Sequence, residues 1–386
     1  MRISIASTLY VVVFLTCFDS LLKASVAGFY VQAGIIIAMA ALLAMLADKN
    51  YHFNEKIVKK DNTIIIFYIL IAIGLPNAVH LAVYFKMLFY FLVFTLVYIY
   101  VSESSGSVNI QRLSSICVLT LCVTGIFQYG LADIFSMQLE LRGVQSEHYY
   151  YLANRMRGFF LEPNWYGLIL FSWLFVYVRS LERLALYPIF LIALSVSCLF
   201  LSENRLIYFF LALFIFVYFF GGLAGRLRRF IPVVILLSSG GLFLYLAMAG
   251  GLDGDRSAAA RFYTGYNVVS TMLSYPLDAQ LLGKGFSNWG WFSNELELSW
   301  SNYLFDQSLT RRDNSEIYVV FFEMGYLGLL LFIYDGWFLG SKREADTLDV
   351  VFLMCMYIAG MFYPIYQFLM YMLPMMIVRN RVVQSN

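Results

Sequence analysis

The chain has 386 residues, 61% of them hydrophobic and only 13% charged, with a mean hydropathy of +0.74 and a net charge of +2. Ordinary soluble domains carry roughly a quarter charged residues, and a soluble fold of this length could not hide so much apolar side chain, so lipid is part of the solvent. The small net charge excludes a global field that would recruit nucleic acid.

A membrane helix needs about 20 apolar residues. On that ruler spans are predicted near 4–20, 26–47, 62–78, 81–101, 113–131, 164–179, 184–201, 205–221, 231–249 and 316–340. The stretch 348–378 is too long for one span, and Pro364 divides it into 348–363 and 365–378. The fold class is therefore all-α, a single polytopic membrane domain over 1–386 with about twelve transmembrane helices. Ser25-Val26-Ala27 resembles a signal cleavage site, but Asp19 and Lys23 precede it and a second apolar run follows, so the first segment is expected to be a retained helix.

Basic residues mark every second short loop: Lys49, Lys56, Lys59 and Lys60, then Arg112, Arg179 and Arg183, Arg226, Arg228 and Arg229, Lys342 and Arg343, Arg379 and Arg381. By the positive-inside rule all of these lie on the cytoplasmic side if both termini do. Two long loops, 132–163 and 250–315, then fall outside. Their arginines are not required by topology, because long outer loops escape the rule. Both loops carry aromatics, among them Tyr149, Tyr150, Tyr151, Phe159, Phe160, Trp289, Trp291 and Trp300, and neither has a disordered composition. Asp255 or Ser257 is a candidate cap for a helix to about 274, with Arg261, Gly265, Val268 and Met272 on one face.

Four stretches could carry chemistry. R-M-R-G-F-F-L-E-P-N-W-Y-G, residues 155–167, places Arg155 and Arg157 ahead of a helix that starts at Pro163, where free N–H groups and the dipole attract an anion. The plain alternative is a loop-to-helix junction with arginines on lipid headgroups. S-E-N-R-L, residues 202–206, opens the next inward-running span; Arg205 works against that dipole and needs an anion, either Glu203 or a ligand. In the second long loop Arg256 and Arg261 follow Asp253-Gly-Asp255; a solvated helix face is the plain reading of Arg261, and a glycine turn that of the two aspartates. The fourth stretch, 310–325, gathers Arg311, Arg312, Asp313 and Glu316, with Glu323 about 10 Å deeper on the same face. Carboxylates inside membranes usually face a partner or a cavity, so Glu323 is either structurally paired or catalytic. No P-loop, G-x-G-x-x-G, HExxH or G-x-S-x-G signature occurs, which argues against nucleotide, zinc or serine-hydrolase chemistry. The five cysteines, Cys17, Cys117, Cys122, Cys198 and Cys355, form no CxxC pair and read as small buried hydrophobes; no metal is indicated.

Through 155–167, S-E-N-R at 202–205, P-L-D-A-Q-L-L-G-K-G-F at 276–286 and D-N-S-E-I-Y-V-V-F-F-E-M-G-Y-L-G at 313–328, the chain resembles the O-antigen polymerase (Wzy) and O-antigen ligase (WaaL) superfamily of bacterial envelope polysaccharide enzymes. The resemblance covers mainly 155–335 and rests on the order of the motifs. It implies a fold similar to the multi-span glycosyltransferases with lipid-linked donors (GT-C), in the bacterial inner membrane. It further implies transfer of a glycan from undecaprenyl pyrophosphate at the periplasmic face, without metal or other cofactor. Arg157, Arg205 and Arg261, with Arg155, Arg311 and Arg312, are the residues expected to grip the pyrophosphate. Asp313, Glu316 or Glu162 is expected to accept the hydroxyl proton. Ligases typically carry a histidine before the tenth span. Asp313-Asn314 stands there instead, which favours a polymerase that joins repeat units, with a chain-length regulator as a possible partner. The competing readings are a ligase that transfers glycan to lipid A core and, in another class, a flippase or secondary transporter.

Overall fold

The computed structural model describes residues 5–18, 23–26, 29–32, 36, 39–40, 61–103, 109–134, 155–160, 163–220, 256–298, 315–342, 344–362 and 369–385. Their regular secondary structure is helical apart from one hairpin. The helices are α1 (Ile5–Thr16), α2 (Asn62–Gly74), α3 (Leu81–Glu103), α4 (Ile110–Ile134), α5 (Pro163–Arg179), α6 (Leu186–Leu201) and α7 (Arg205–Phe219). They continue with α8 (Arg256–Ser274), α9 (Leu277–Leu282), α10 (Trp289–Glu295), α11 (Glu316–Ser341), α12 (Thr347–Phe362) and α13 (Leu369–Gln384). Three of them, at Leu81–Ile99, Ile110–Leu131 and Glu316–Ser341, are long and apolar enough to cross a bilayer; Asn62–Asn77, Leu186–Leu201, Arg205–Phe219 and Thr347–Gly360 are shorter apolar segments.

Most predicted spans coincide with a helix. In the expected span at 26–47 the first residues depart from a helix, while the described residues further along it, 36 and 39–40, are helical. Strand β1 (Lys23–Val26) pairs antiparallel with β2 (Phe29–Gln32) in a register that puts Val26 opposite Phe29 and Lys23 opposite Gln32. The start of that apolar run is thus a strand: Ala27-Gly28 stands between the two, a length and composition suited to a two-residue turn, and β-branched and aromatic residues follow it. The predicted span 231–249 lies outside the described residues. So does 363–368, which includes Pro364, but the chain on either side is split into α12 and α13 as expected. The last helix runs to Gln384, beyond the predicted end at 378.

The chain divides into two compact units: Met1–Glu55 with Val93–Ile215 and Phe368–Asn380, and Lys56–Leu92 with Phe216–Gln367 and Arg381–Asn386. In the first, α4 packs on α5, α6 and α1. Gly125 of α4 leaves the space that Tyr166 of α5 occupies, and the Tyr166 hydroxyl donates to Leu121 O at 3.1 Å. Trp173, fully buried, donates its Nε1–H to Met370 O at 2.9 Å, which ties α5 to α13. Large apolar side chains face outward on α6 and α7, including Leu186 at 85% exposure and Phe219 at 73%. In water such a surface would aggregate; in lipid it is solvated. All five cysteines are buried thiols.

In the second unit α11 is the axis, packed by α2, α8, α9, α10 and α12. Val268 and Met272 of α8 are fully buried with Trp289, Leu298, Val319 and Phe322 in one core. This bears out the apolar half of the face read from the 261–272 spacing. A neighbouring core joins Ile71, Tyr84, Met87, Phe286 and Met324.

Candidate functional site

The four stretches that carry the resemblance pair off in space over their described residues, two within each unit. In the first unit the segment before α5 lies against the turn between α6 and α7. Met156 N donates to Leu201 O at 2.9 Å and Arg157 N to Gln128 Oε1 at 2.9 Å. Arg155 wraps the turn: Nε donates to Ser202 O at 3.1 Å, and Nη2 to Ser202 O, Glu203 O and Asn164 Oδ1 at 2.8, 2.9 and 3.2 Å. The last carbonyls of a helix have no partners within it, and a guanidinium fork satisfies them here. Glu203, left-handed at φ 51, approaches Arg155 Nε at 3.8 Å. Asn204 then starts α7: its Oδ1 accepts Leu206 N at 3.0 Å as an N-cap, while its Nδ2 donates to Asn164 O at 3.0 Å. A Cβ on Gly167 would meet Ser202 Oγ at 2.9 Å, so the glycine of the first motif makes room for the serine of the second.

Arg155, Arg157 and Arg205 are therefore gathered at one junction. Arg155 is engaged with protein carbonyls. Arg157 is buried, 3% exposed, and Arg205 is exposed at the first residue of α7. Glu203, one of the two anions expected for Arg205, lies beside Arg155. Glu162, Arg311, Arg312 and Asp313 lie outside the described residues, as do Asp253 and Asp255.

In the second unit the 276–286 stretch is fastened to α11. This helix breaks at Gly325 (φ 61, ψ −154), a conformation that only glycine adopts easily. The break frees two carbonyls, and the turn after α9 satisfies them: Lys284 N donates to Phe322 O at 2.8 Å and Gly285 N to Glu323 O at 3.0 Å. Gly283 (φ 76) lies so close to Glu323 that neither it nor Gly325 has space for a Cβ. Glu323, 2% exposed, accepts the N–H of Trp289 at 3.1 Å and so fixes the start of α10. Of the two readings open for Glu323, this contact is the structural one.

Asn288 holds the turn from the other side. Its Oδ1 accepts Val79 N at 2.9 Å, and its Nδ2 donates to Asn77 O and Lys284 O, both at 2.6 Å. No sequence signal marked Asn288, Asn77 or the neighbouring His80, whose ring meets Trp291 edge-on at 4.8 Å. Lys284 Nζ lies 3.9 Å from the centroid of Tyr275, and burial raises the Tyr275 hydroxyl above its ordinary value. Glu316, at the first position of α11, is 1% exposed behind Ser315, and Arg261 is half-buried on α8. At the far end of α11, Asp335 is bonded to the Tyr357 hydroxyl, and Asp349 pairs with Arg381 at 3.5 Å. Among the described residues no cluster of three or more His, Cys, Asp or Glu is arranged to hold a metal. The chain matches no family model, no curated protein and no solved structure.

Proposed function

We propose that this chain is a polysaccharide polymerase of the bacterial inner membrane that joins undecaprenyl-pyrophosphate-linked repeat units at the periplasmic face. The observation that carries the reading is the pairing of motifs. Residues 155–167 interlock with 202–205, and 276–286 with the described part of 313–328, as expected if these four stretches form working surfaces rather than scattered loop ends. The first surface combines Arg155, Arg157 and Arg205 with the starts of two apolar helices. Guanidinium groups and helix N-termini both match phosphate oxygens.

In the reaction, a hydroxyl of the incoming repeat unit attacks the anomeric carbon of the growing chain. The new C–O bond forms as the bond to the lipid pyrophosphate breaks. The hydroxyl proton passes to a carboxylate, and undecaprenyl pyrophosphate leaves. Pyrophosphate is a good leaving group, so fixed cations stabilise its charge as it departs. Of the candidate bases, Glu316 is buried at the head of α11; Asp313 and Glu162 share the role as candidates. Arg261, Arg311 and Arg312 are further candidates for binding a pyrophosphate. The expected topology of about twelve spans, with both termini inside and loops 132–163 and 250–315 outside, follows from the spacing of apolar and basic residues.

Deletion followed by electrophoresis of surface polysaccharide tests this. A polymerase predicts loss of long chains, with a single repeat unit still capping the lipid A core. Loss of all capping, with long polymer left on the carrier, would identify a ligase. Arg157→Ala, Arg205→Ala and Arg261→Ala should each abolish polymer at normal membrane levels of protein; unchanged polymer in all three overturns the site. A second reading, a flippase or transporter, has one observation in its favour: α11 is a discontinuous helix with a buried carboxylate at its break, as transporters use. Repeat units trapped at the cytoplasmic face in the deletion strain would decide for it.

A further inference from the structure

Helix α8 has 19 residues, yet it is not among the described helices apolar enough to cross a bilayer. Its surface divides into three sides. Thr264, Gly265, Val268 and Met272 are buried, and Val268 and Met272 join the core with Trp289 and Phe322. With about 3.6 residues per turn, Phe262, Tyr266, Val269 and Leu273 fall within an arc of about 60° on a second side. Tyr266 is 63% exposed and Leu273 56%, Val269 is exposed as well, and the Phe262 and Tyr266 rings stack with centroids 6.4 Å apart. The third side carries Asn267, Ser270, Thr271 and Ser274, of which the two serines are exposed. Core, apolar surface and polar surface thus run side by side along one helix.

Exposed apolar side chains continue onto α9, where Leu277 is 67% exposed and Leu281 and Leu282 are exposed too. The corner between the two helices is closed by a protein group: Gln280 Nε2 donates to Leu273 O at 3.3 Å and to Tyr275 O at 2.8 Å. Carbonyls at a helix end need such partners wherever water is scarce. The α9 turn is in turn fastened to α11, which is long and apolar enough to cross a bilayer, by the bonds from Lys284 N and Gly285 N to Phe322 O and Glu323 O. At about 1.5 Å per residue these carbonyls lie about 9–11 Å along α11 from its first residue. A hydrocarbon core is about 30 Å thick, so α9 is attached within the half of the bilayer nearest the head of α11.

We propose that α8 and α9 form an interfacial element. Its apolar side, Tyr266, Val269, Leu273 and Leu277, is covered by lipid at the boundary of head groups and acyl chains, and the side carrying Asn267 and Ser274 faces water. A helix with separate apolar and polar sides lies in a bilayer surface with its apolar side about 5–10 Å into that boundary. An exposed tyrosine suits the same depth, its ring in the apolar layer and its hydroxyl at the head groups. The bilayer is the occupant rather than a second copy of the chain, because the apolar side continues onto an element bonded directly to a bilayer-crossing helix, where lipid is already the solvent. The placement holds whatever reaction the chain performs.

The test uses the full chain in nanodiscs of phosphatidylethanolamine and phosphatidylglycerol. Tyr266→Cys, Leu273→Cys, Asn267→Cys and Ser274→Cys are each labelled with a nitroxide, and wild type supplies the background from the five buried cysteines. Electron paramagnetic resonance then compares collisions with oxygen, which concentrates in lipid, and with a water-soluble nickel chelate. Labels at 266 and 273 should favour oxygen several-fold and lie at the same depth, while those at 267 and 274 favour the chelate. Val269→Cys repeats the reading on the apolar side should one of these variants misfold. A helix that crosses the bilayer would separate 266 and 273 by about 10 Å in depth, and that result overturns the proposal. So do labels at 266 and 273 that favour the chelate, which would put this side in water. Labels there that are shielded from both reagents overturn it as well, in favour of a protein cover such as a second copy.

Discussion

Arg155 shows how a residue chosen for one role can be committed to another. Its guanidinium serves the carbonyls of Ser202 and Glu203 and the amide of Asn164, three acceptors from two segments. Hydrogen bonds made by a charged donor are worth about 1.5–3 kcal/mol each, and losing the donor leaves helix-end carbonyls unsatisfied. Arg155→Ala is therefore expected to destabilise the first unit by about 2–4 kcal/mol. Arg155→Lys should recover only part of this, because an ammonium cannot reproduce the planar fork. Thermal unfolding in detergent measures both. An alanine variant as stable as wild type would mean that these bonds contribute little and that the arginine is available for a ligand. Glu323 is tested in the same spirit. Glu323→Gln still accepts the Trp289 N–H, so it should keep both fold and polymer; Glu323→Ala should lose about 1–3 kcal/mol. A glutamine variant that folds normally but makes no polymer would restore the catalytic reading.

At the scale of the element, the break in α11 decides the second unit. A continuous helix would bond Phe322 O and Glu323 O internally. The left-handed Gly325 releases both, and the turn at 283–285 binds them. The exchange works only because Gly283 and Gly325 lack side chains where the two backbones meet. Gly325→Ala would drive a methyl group into the carbonyl of Gln280 and strain a positive φ, so folded protein should fall well below wild-type yield in fluorescence size-exclusion profiles. A variant with unaltered profile would mean that the break is not needed to assemble the unit. The glycine spacing was visible in the sequence, but its partner across 40 or so residues was not, because helix periodicity reports faces and not which face meets which.

At the scale of the whole molecule, the expected topology is open to direct measurement. The five native cysteines are buried, so introduced ones report the labelling. Ser146→Cys and Ser308→Cys should react with a membrane-impermeant maleimide added outside the inner membrane, and Lys59→Cys should not. The reverse pattern would invert the orientation and remove the periplasmic site.

Composition and apolar run length were enough to establish a helical chain with segments long enough to cross a bilayer, because lipid forces backbone groups to be satisfied within each helix. They also located α8 and its buried face, and the division near Pro364. The first residues of the predicted second span escaped this rule: over so short an apolar run, helix and strand are not distinguished by hydrophobicity, and the hairpin prevails. The polar architecture was legible only as candidates. That Arg155 closes a helix end, that Glu323 fixes α10, and that Asn288 ties residues 77–79 to Lys284 all depend on contacts between segments far apart in sequence. Hydrogen bonds and charge pairs are short-ranged and directional, so only the tertiary structure decides which of a chain's polar groups are used to build it and which remain for a ligand.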